Sequence, residues 1–295
     1  MDELFPNRES AWHAEREAAT PDREEVFRRI GAVQGPITRL SGGLANESLL
    51  IGADRVLRIY RRNVAAMDVE RALLTKDWSE FRVPRVLESG EDFLVLEYVP
   101  HGPLLNQEEH GEAVGRGLAE IHRQSFSSHG LLGAGLQIVE PWEDFPRAIE
   151  EYFRSLRVED IEDARLIERV LERFSRLIPE LQEACGRPVL LHGDFKASNL
   201  HWSGEGRLLV LDWEFAYAGP ALMDVGQLVR WGIPHPFRTG FERGYRECGG
   251  DLLENWLFLS GILDLINLTQ LYLKSSKGSA QAGDCLRKIE ATIKE

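Results

Sequence analysis

Val189-Leu190-Leu191-His192-Gly193-Asp194-Phe195-Lys196-Ala197-Ser198-Asn199 is followed by Leu208-Leu209-Val210-Leu211-Asp212-Trp213-Glu214, and then by Asp224. Two short apolar runs, each of the length of a buried strand, lead directly into polar loops. Five residues separate Asp194 from Asn199, and thirteen more lead to Asp212. A carboxylate delivered by a buried strand is held rigidly and can face a cleft. There it can orient a hydroxyl and accept its proton. An amide and a second carboxylate supply hard oxygen ligands of the kind magnesium takes together with phosphate oxygens. Read as isolated turns, HGD and DWE would be ordinary capping chemistry. Their joint spacing, each behind an apolar strand, argues for one site.

The chain upstream reads as the other half of such a site. Short apolar runs at 37–40, 48–51 and 55–60 are separated by Gly42-Gly43 and by Gly52-Ala53-Asp54, which gives strands joined by tight turns. Residues 64–81 carry helical spacing, and strands are expected again at 85–88 and 93–98. This is a small antiparallel sheet with one helix on it. Ser41-Gly42-Gly43-Leu44-Ala45-Asn46 lies between two strands, where glycines let backbone N–H groups approach phosphates. No G-x-x-x-x-G-K-[ST] loop occurs. Arg58 sits among apolar neighbours on its strand and needs a partner, for which Glu70, twelve residues on, is the natural choice.

After Pro100-His101-Gly102-Pro103 the pattern is mainly helical. Helices are expected at 107–124, 142–156, 160–185, 221–231, 237–248, 252–275 and 280–294, interrupted only by the strands around the polar motif. The expected division is a lobe over 1–99, with a helical extension over 1–30, and a lobe over 100–295.

From roughly residue 37 to 275 the chain resembles the aminoglycoside phosphotransferase and choline kinase family, of protein-kinase-like fold. The match rests on H-G-D-x-x-x-x-N, then D-[WF]-E, then D. The resemblance implies a bilobal α+β fold and transfer of the ATP γ-phosphate to a hydroxyl of a small molecule, with ATP and Mg2+ as cofactors. It implies Asp194 as catalytic base and Asn199 and Asp212 as magnesium ligands. Gly42, Gly43 and Asn46 would form the phosphate loop, and Arg58 would stand in for the usual strand lysine, paired to Glu70. The backbone of Glu97 to Val99 would bond adenine, Lys196 would steady the transferring phosphoryl group, and Asp224 would brace the catalytic loop. Trp213-Glu214 replaces the Phe-Gly of a protein-kinase switch. Only a short path leads on to Asp224, so a regulated activation segment is not expected. An aminoglycoside acceptor, as in antibiotic resistance, is the first reading. A choline, ethanolamine or other metabolite kinase is the second, and a nucleotide-binding pseudokinase scaffold is the alternative from another class.

The formal net charge of −13 argues against electrostatic binding to nucleic acid and is compatible with a cationic acceptor. The acidic residues of 140–151 and the aromatic faces of Trp231 or Trp256 are candidate contacts for such an acceptor; their plainer reading is a solvated face and a packed core. Three cysteines without a C-x-x-C pair point to neither a disulfide framework nor a zinc site. No signal peptide or membrane span is read from the sequence. The expectation is a cytoplasmic monomer or homodimer without a membrane partner.

Overall fold

The computed structural model describes residues 23–31, 33, 35–40, 46–61 and 63–294. The expected Gly42-Gly43 loop and the helical extension before residue 23 lie outside the described residues. Helix α1 (Arg23–Ile30) stops where expected, at Gly31 with φ of +70°. Five strands follow in the sheet order β1-β2-β3-β5-β4: β1 (Ile37–Arg39), β2 (Glu47–Ile51), β3 (Arg55–Ile59), β4 (Val86–Ser89) and β5 (Phe93–Glu97). Every described pairing among them is antiparallel. Leu49, Ile51, Leu57, Ile59, Phe93 and Val95 bury one face of this sheet against Val26 of α1.

Helix α2 (Val64–Leu74), capped by the Asn63 side chain, lies between β3 and β4. It ends seven residues before the sequence-based expectation. Residues beyond Leu74 leave the helix to reach the rest of the molecule. The backbone of Arg82 bonds Leu208 and Val210, the Glu120 carboxylate accepts the Ser79 and Glu80 amides, and Arg207 donates to the Ser79 and Phe81 carbonyls. Trp78, Phe81 and Trp213 stack with centroids 4.7–5.9 Å apart. The main apolar core is continuous from Tyr60 and Met67 through to Ile289.

The second half is less purely helical than its periodicity suggests. Strand β6 (His101–Pro103) pairs with β10 (Leu200–Ser203), which pairs with β11 (Leu208–Val210). A hairpin of β7 (His129–Leu132) and β8 (Ile138–Trp142) joins β12 (Tyr217–Gly219) and β9 (Val189–Leu191) in a four-stranded sheet. Residue 142, expected to open a helix, therefore closes a strand. The helix α4 (Phe145–Ser155) starts after Asp144, whose carboxylate caps the Arg147 amide. The single helix expected over 160–185 is two, α5 (Ile161–Arg176) and α6 (Ile178–Cys185). They divide at Leu177, because Pro179 suits the first turn of a helix and not its interior.

Helix α3 (Glu108–His122) crosses α8 (His235–Glu247) at backbone contact. A Cβ on Gly111 would stand 2.0 Å from the Phe237 carbonyl oxygen, and one on Gly115 2.3 Å from that of Phe241. Reciprocally, Gly240 faces the Glu108 carbonyl at 1.9 Å and Gly244 that of Glu112 at 2.3 Å. Two G-x-x-x-G spacings, one on each helix, set this approach. The remaining helices α7 (Leu222–Val229), α9 (Trp256–Lys274) and α10 (Ala280–Lys294) complete the fold. By length and composition α9 could cross a membrane; here Leu259, Ile262, Leu263, Leu265 and Leu268 bury it in the core. Trp256 is buried with Phe241, so the packed-core reading holds for it.

Two outcomes follow from this packing. Gly115→Leu should force α3 and α8 apart and lower stability by about 2–4 kcal/mol, read as a shifted urea midpoint. Glu150, from the acidic stretch, is buried and bonded to Ser175, Arg154 and Arg147, of which the Ser175 hydrogen bond most strongly draws its pKa down to about 2. A depressed carboxylate stabilises the fold above its unfolded pKa and loses that contribution as pH falls through about 2. Glu150→Gln should therefore lower the melting temperature at pH 7, with the gap to wild type closing on acidification below pH 4.5.

Candidate active site

Strand β9 ends at Leu191, and the chain turns at His192-Gly193-Asp194 before a single 3-10 turn over Ala197–Asn199. The turn is riveted from below. Asp224 on α7, fully buried, accepts the amides of His192 at 2.8 Å and Gly193 at 2.9 Å. One helical turn on, Gln227 accepts the Phe195 amide and donates to the Gly193 carbonyl, both at 2.7 Å. Asp224 lies 3.3 Å from His122 Nε2, whose Nδ1 meets the Tyr245 hydroxyl at 2.7 Å. Gly193 has φ of +80°, and a Cβ there would collide with the Phe215 carbonyl at 2.0 Å.

His192 joins the two motifs. Its Nδ1 accepts the Asp194 amide at 3.2 Å, which leaves Nε2–H to donate to the Leu211 carbonyl at 2.9 Å and fixes the tautomer. The imidazole also packs on Trp213 with centroids 4.6 Å apart. Above this base, Asn199 Nδ2 donates to the Asp194 carbonyl at 2.8 Å and to its carboxylate at 3.0 Å. Lys196 Nζ stands 3.2 Å from the same carboxylate oxygen. The Leu211 amide bonds the Asn199 carbonyl, so Asn199 and Asp212 emerge side by side from β10 and β11. Asp212 has φ of +68°, a left-handed conformation that Asp tolerates better than most residues.

From the five-stranded sheet, Arg58 reaches into this cluster as expected, and it does more than pair with Glu70. Its guanidinium lies 3.2 Å from Glu70, 3.2 Å from Glu214, and in direct hydrogen bond with Asp212. Glu70 is fixed in turn by the Tyr60 hydroxyl at 2.5 Å and the Trp213 amide at 3.3 Å. Asn46 donates to Glu214 at 2.5 Å, linking the residue before β2 to the DWE motif. Burial alone would lower the Arg58 pKa, but Asp212 and then Glu70 hold it well above its ordinary value. Burial drives Glu70 up, with Arg58 offsetting only part of the rise. Burial acts to raise Asp212 as well, and there Arg58 prevails and holds it below the usual range. Burial, followed by the Asp212 carboxylate, pushes Glu214 up to about 8.

The cluster thus crowds three carboxylates around one guanidinium, with Asp194 beside Lys196. Among the described residues no group of three or more His, Cys, Asp or Glu forms a metal cage. Magnesium needs no such cage, because one or two carboxylates with phosphate oxygens suffice. The surplus of hard, mutually repelling oxygens around Asp212 and Glu214 fits a divalent cation.

The structure brings together Asp194, Lys196, Asn199, Asp212, Arg58, Glu70 and Asn46. At the expected hinge, the Glu97 side chain is committed to Arg82 at 2.8 Å and Arg85 at 3.0 Å, and its amide donates to the Arg85 carbonyl at 2.9 Å. Val99 is buried, and its carbonyl meets His101 Nδ1 at 2.6 Å. Sequence reasoning placed His192 and Glu214 in the motifs without giving either a role, and it missed Gln227. Gln227 lies three residues after Asp224 and so on the same helical face, a spacing that could have found it.

The model of the phosphotransferase enzyme family matches residues 36–260, most of the chain. The chain belongs to this family. It is a small-molecule kinase of bilobal, protein-kinase-like α+β fold. Over 243 residues it is 26% identical to a probable ketoamine kinase of Staphylococcus aureus, covering 71% of this chain and 78% of that protein. A second probable ketoamine kinase, from Thermus thermophilus, is 30% identical over 187 residues; the match covers 58% of this chain and 60% of that protein's length. The fold is shared with a thermostable mutant of aminoglycoside phosphotransferase APH(4)-Ia, solved as a ternary complex with AMP-PNP and hygromycin B. The TM-score is 0.67 at 19% identity, covering 92% of this chain and 97% of that one.

In this kinase the Asp224 rivet is the most exposed to single substitutions. Asp224→Ala would leave two buried amides without an acceptor and should cost about 3–5 kcal/mol in a urea titration. Asp224→Asn keeps one acceptor oxygen and should recover part of that loss. Equal stability of the alanine variant and wild type would refute the rivet.

Proposed function

We propose that this kinase transfers the γ-phosphate of ATP, with magnesium, to a hydroxyl of a small cationic molecule, and that the acceptor is a ketoamine. The observation that carries the reaction is the placement of Asp194. Its carboxylate is held by Asn199 and Lys196, on the same loop whose other side abuts Asp212. The acceptor class rests on the two probable ketoamine kinases among the relatives and on the formal net charge of −13.

In this reading Asp194 orients the acceptor hydroxyl and takes its proton as the new P–O bond forms. Lys196 offsets charge on the phosphoryl group in transit. Asn199 and Asp212 would hold magnesium, which would supply charge neutralisation at the phosphates. Arg58, anchored by Glu70, presents its guanidinium to the α- and β-phosphates, and the sequence assigns Gly42 and Gly43 to the same phosphates. The backbone of Glu97 and Val99 receives the adenine. Such a reaction asks the protein mainly for positioning and electrostatics.

The test is a coupled assay of ADP release with a ketoamine, an aminoglycoside and choline as acceptors. The ketoamine should stimulate turnover saturably. Asp194→Ala and Asp212→Ala should each lower kcat by about 10³. Near-normal rates in both variants would overturn the assignment of the site. Stimulation by the aminoglycoside or choline alone would replace the ketoamine as acceptor.

A further inference from the structure

On the side of α7 facing away from the catalytic loop lies a cavity of about 320 Å³, lined by α7, α9 and α10. It falls within the size range of small-molecule sites. Its floor is an ion pair that the phosphotransfer site does not use. Arg230, directly after α7, donates through Nε and Nη2 to the two carboxylate oxygens of Asp264, each at 2.7 Å, and both residues are buried. That pair is internally neutral, so Lys288 on α10 sets the charge of the cavity. Among the described residues no ion pair or hydrogen bond engages the Lys288 ammonium. Val229, Leu257, Phe258 and Leu268 provide apolar walls.

Gly261 keeps the cavity open. It sits inside α9, where glycine costs about 1 kcal/mol relative to alanine. Unlike the glycines of the α3–α8 crossing, it has no steric reason to be there: a Cβ would meet only Thr292 Cγ2, at 3.8 Å. The residue spends helix stability to leave room over the ion pair.

We infer that this cavity binds a small organic anion with an apolar body, and that occupancy is felt at the catalytic loop. The route is α7 itself. Gly226 and Val229 line the cavity, while Asp224 and Gln227 on the same two turns grip His192, Gly193 and Phe195. An occupant that shifts α7 must shift the acceptors of those amides.

Isothermal titration of the full chain with phenylacetate, phenethylamine and benzyl alcohol tests the cavity without turnover or nucleotide, so that arm is independent of the phosphotransfer reading; only the coupling arm rests on it. Phenylacetate should bind saturably, and the amine and alcohol at least about tenfold more weakly. Lys288→Met, which removes the charge and keeps the stem, should weaken phenylacetate about tenfold; Gly261→Leu should abolish its binding. Both variants should titrate with AMP-PNP and magnesium as wild type does when phenylacetate is absent. Nucleotide should alter the phenylacetate Kd, and phenylacetate the nucleotide Kd, by the same factor. No saturable binding, equal binding of the amine, or indifference to both substitutions would overturn the site. Identical phenylacetate Kd values with and without nucleotide would overturn the coupling.

Discussion

One guanidinium faces three carboxylates at the centre of this molecule. Arg58 is the cation that Glu70, Asp212 and Glu214 share, and each of those acids is tied to something else. Glu70 holds the Trp213 amide, Asp212 emerges beside Asn199, and Glu214 takes the Asn46 side chain. The five-stranded sheet and the catalytic loop therefore meet through a charge cluster, one that a smaller or neutral side chain at position 58 could not hold. Arginine suits the place better than lysine, since its planar fork can address several carboxylates at once and keeps its charge when buried. The carboxylate excess left over is what a nucleotide-bound cation would relieve.

In the proposed reading the phosphates lie at this cluster and the acceptor hydroxyl beside Asp194. The β7–β8 hairpin is in register, through β12, with β9, the strand that leads into Asp194. Leu131 faces Tyr217, and Tyr217 faces Leu191, the residue just before the loop. Trp142, Phe145 and Tyr217 pack together at that edge, with centroid separations of 5.8–6.3 Å.

Much of this was legible in the chain before folding. The strands β1–β5 announce themselves because alternating apolar residues are punctuated by glycine and Asp turns. The catalytic loop announces itself because its residues lie within one contiguous stretch, where spacing alone implies geometry. Of the small strands in the second half, β9 and β11 were read from their apolar runs, but β6, β7, β8, β10 and β12 were not. They run to three to five residues, and β8 carries Glu140 and Pro141, a composition tolerated only because it is an edge strand. The end of α2 was also hidden, since Leu74 stops for the sake of contacts with residues 116–120 and 207–210. Nor could Asn46 and Glu214 be paired from sequence, being brought together across 168 positions. The reciprocal glycines of α3 and α8 were visible as spacing, but only the crossing gives that spacing a meaning.

That crossing has a mechanical result. Where two helices touch backbone to backbone, no side chain lies between them to flex or repack, so α3 and α8 behave as one beam. His122 lies at the end of α3, and Tyr245 lies on α8; together they reach Asp224, on which the catalytic loop is seated. The turn that carries Asp194 is thus tied, through Asp224 and His122, to this crossing.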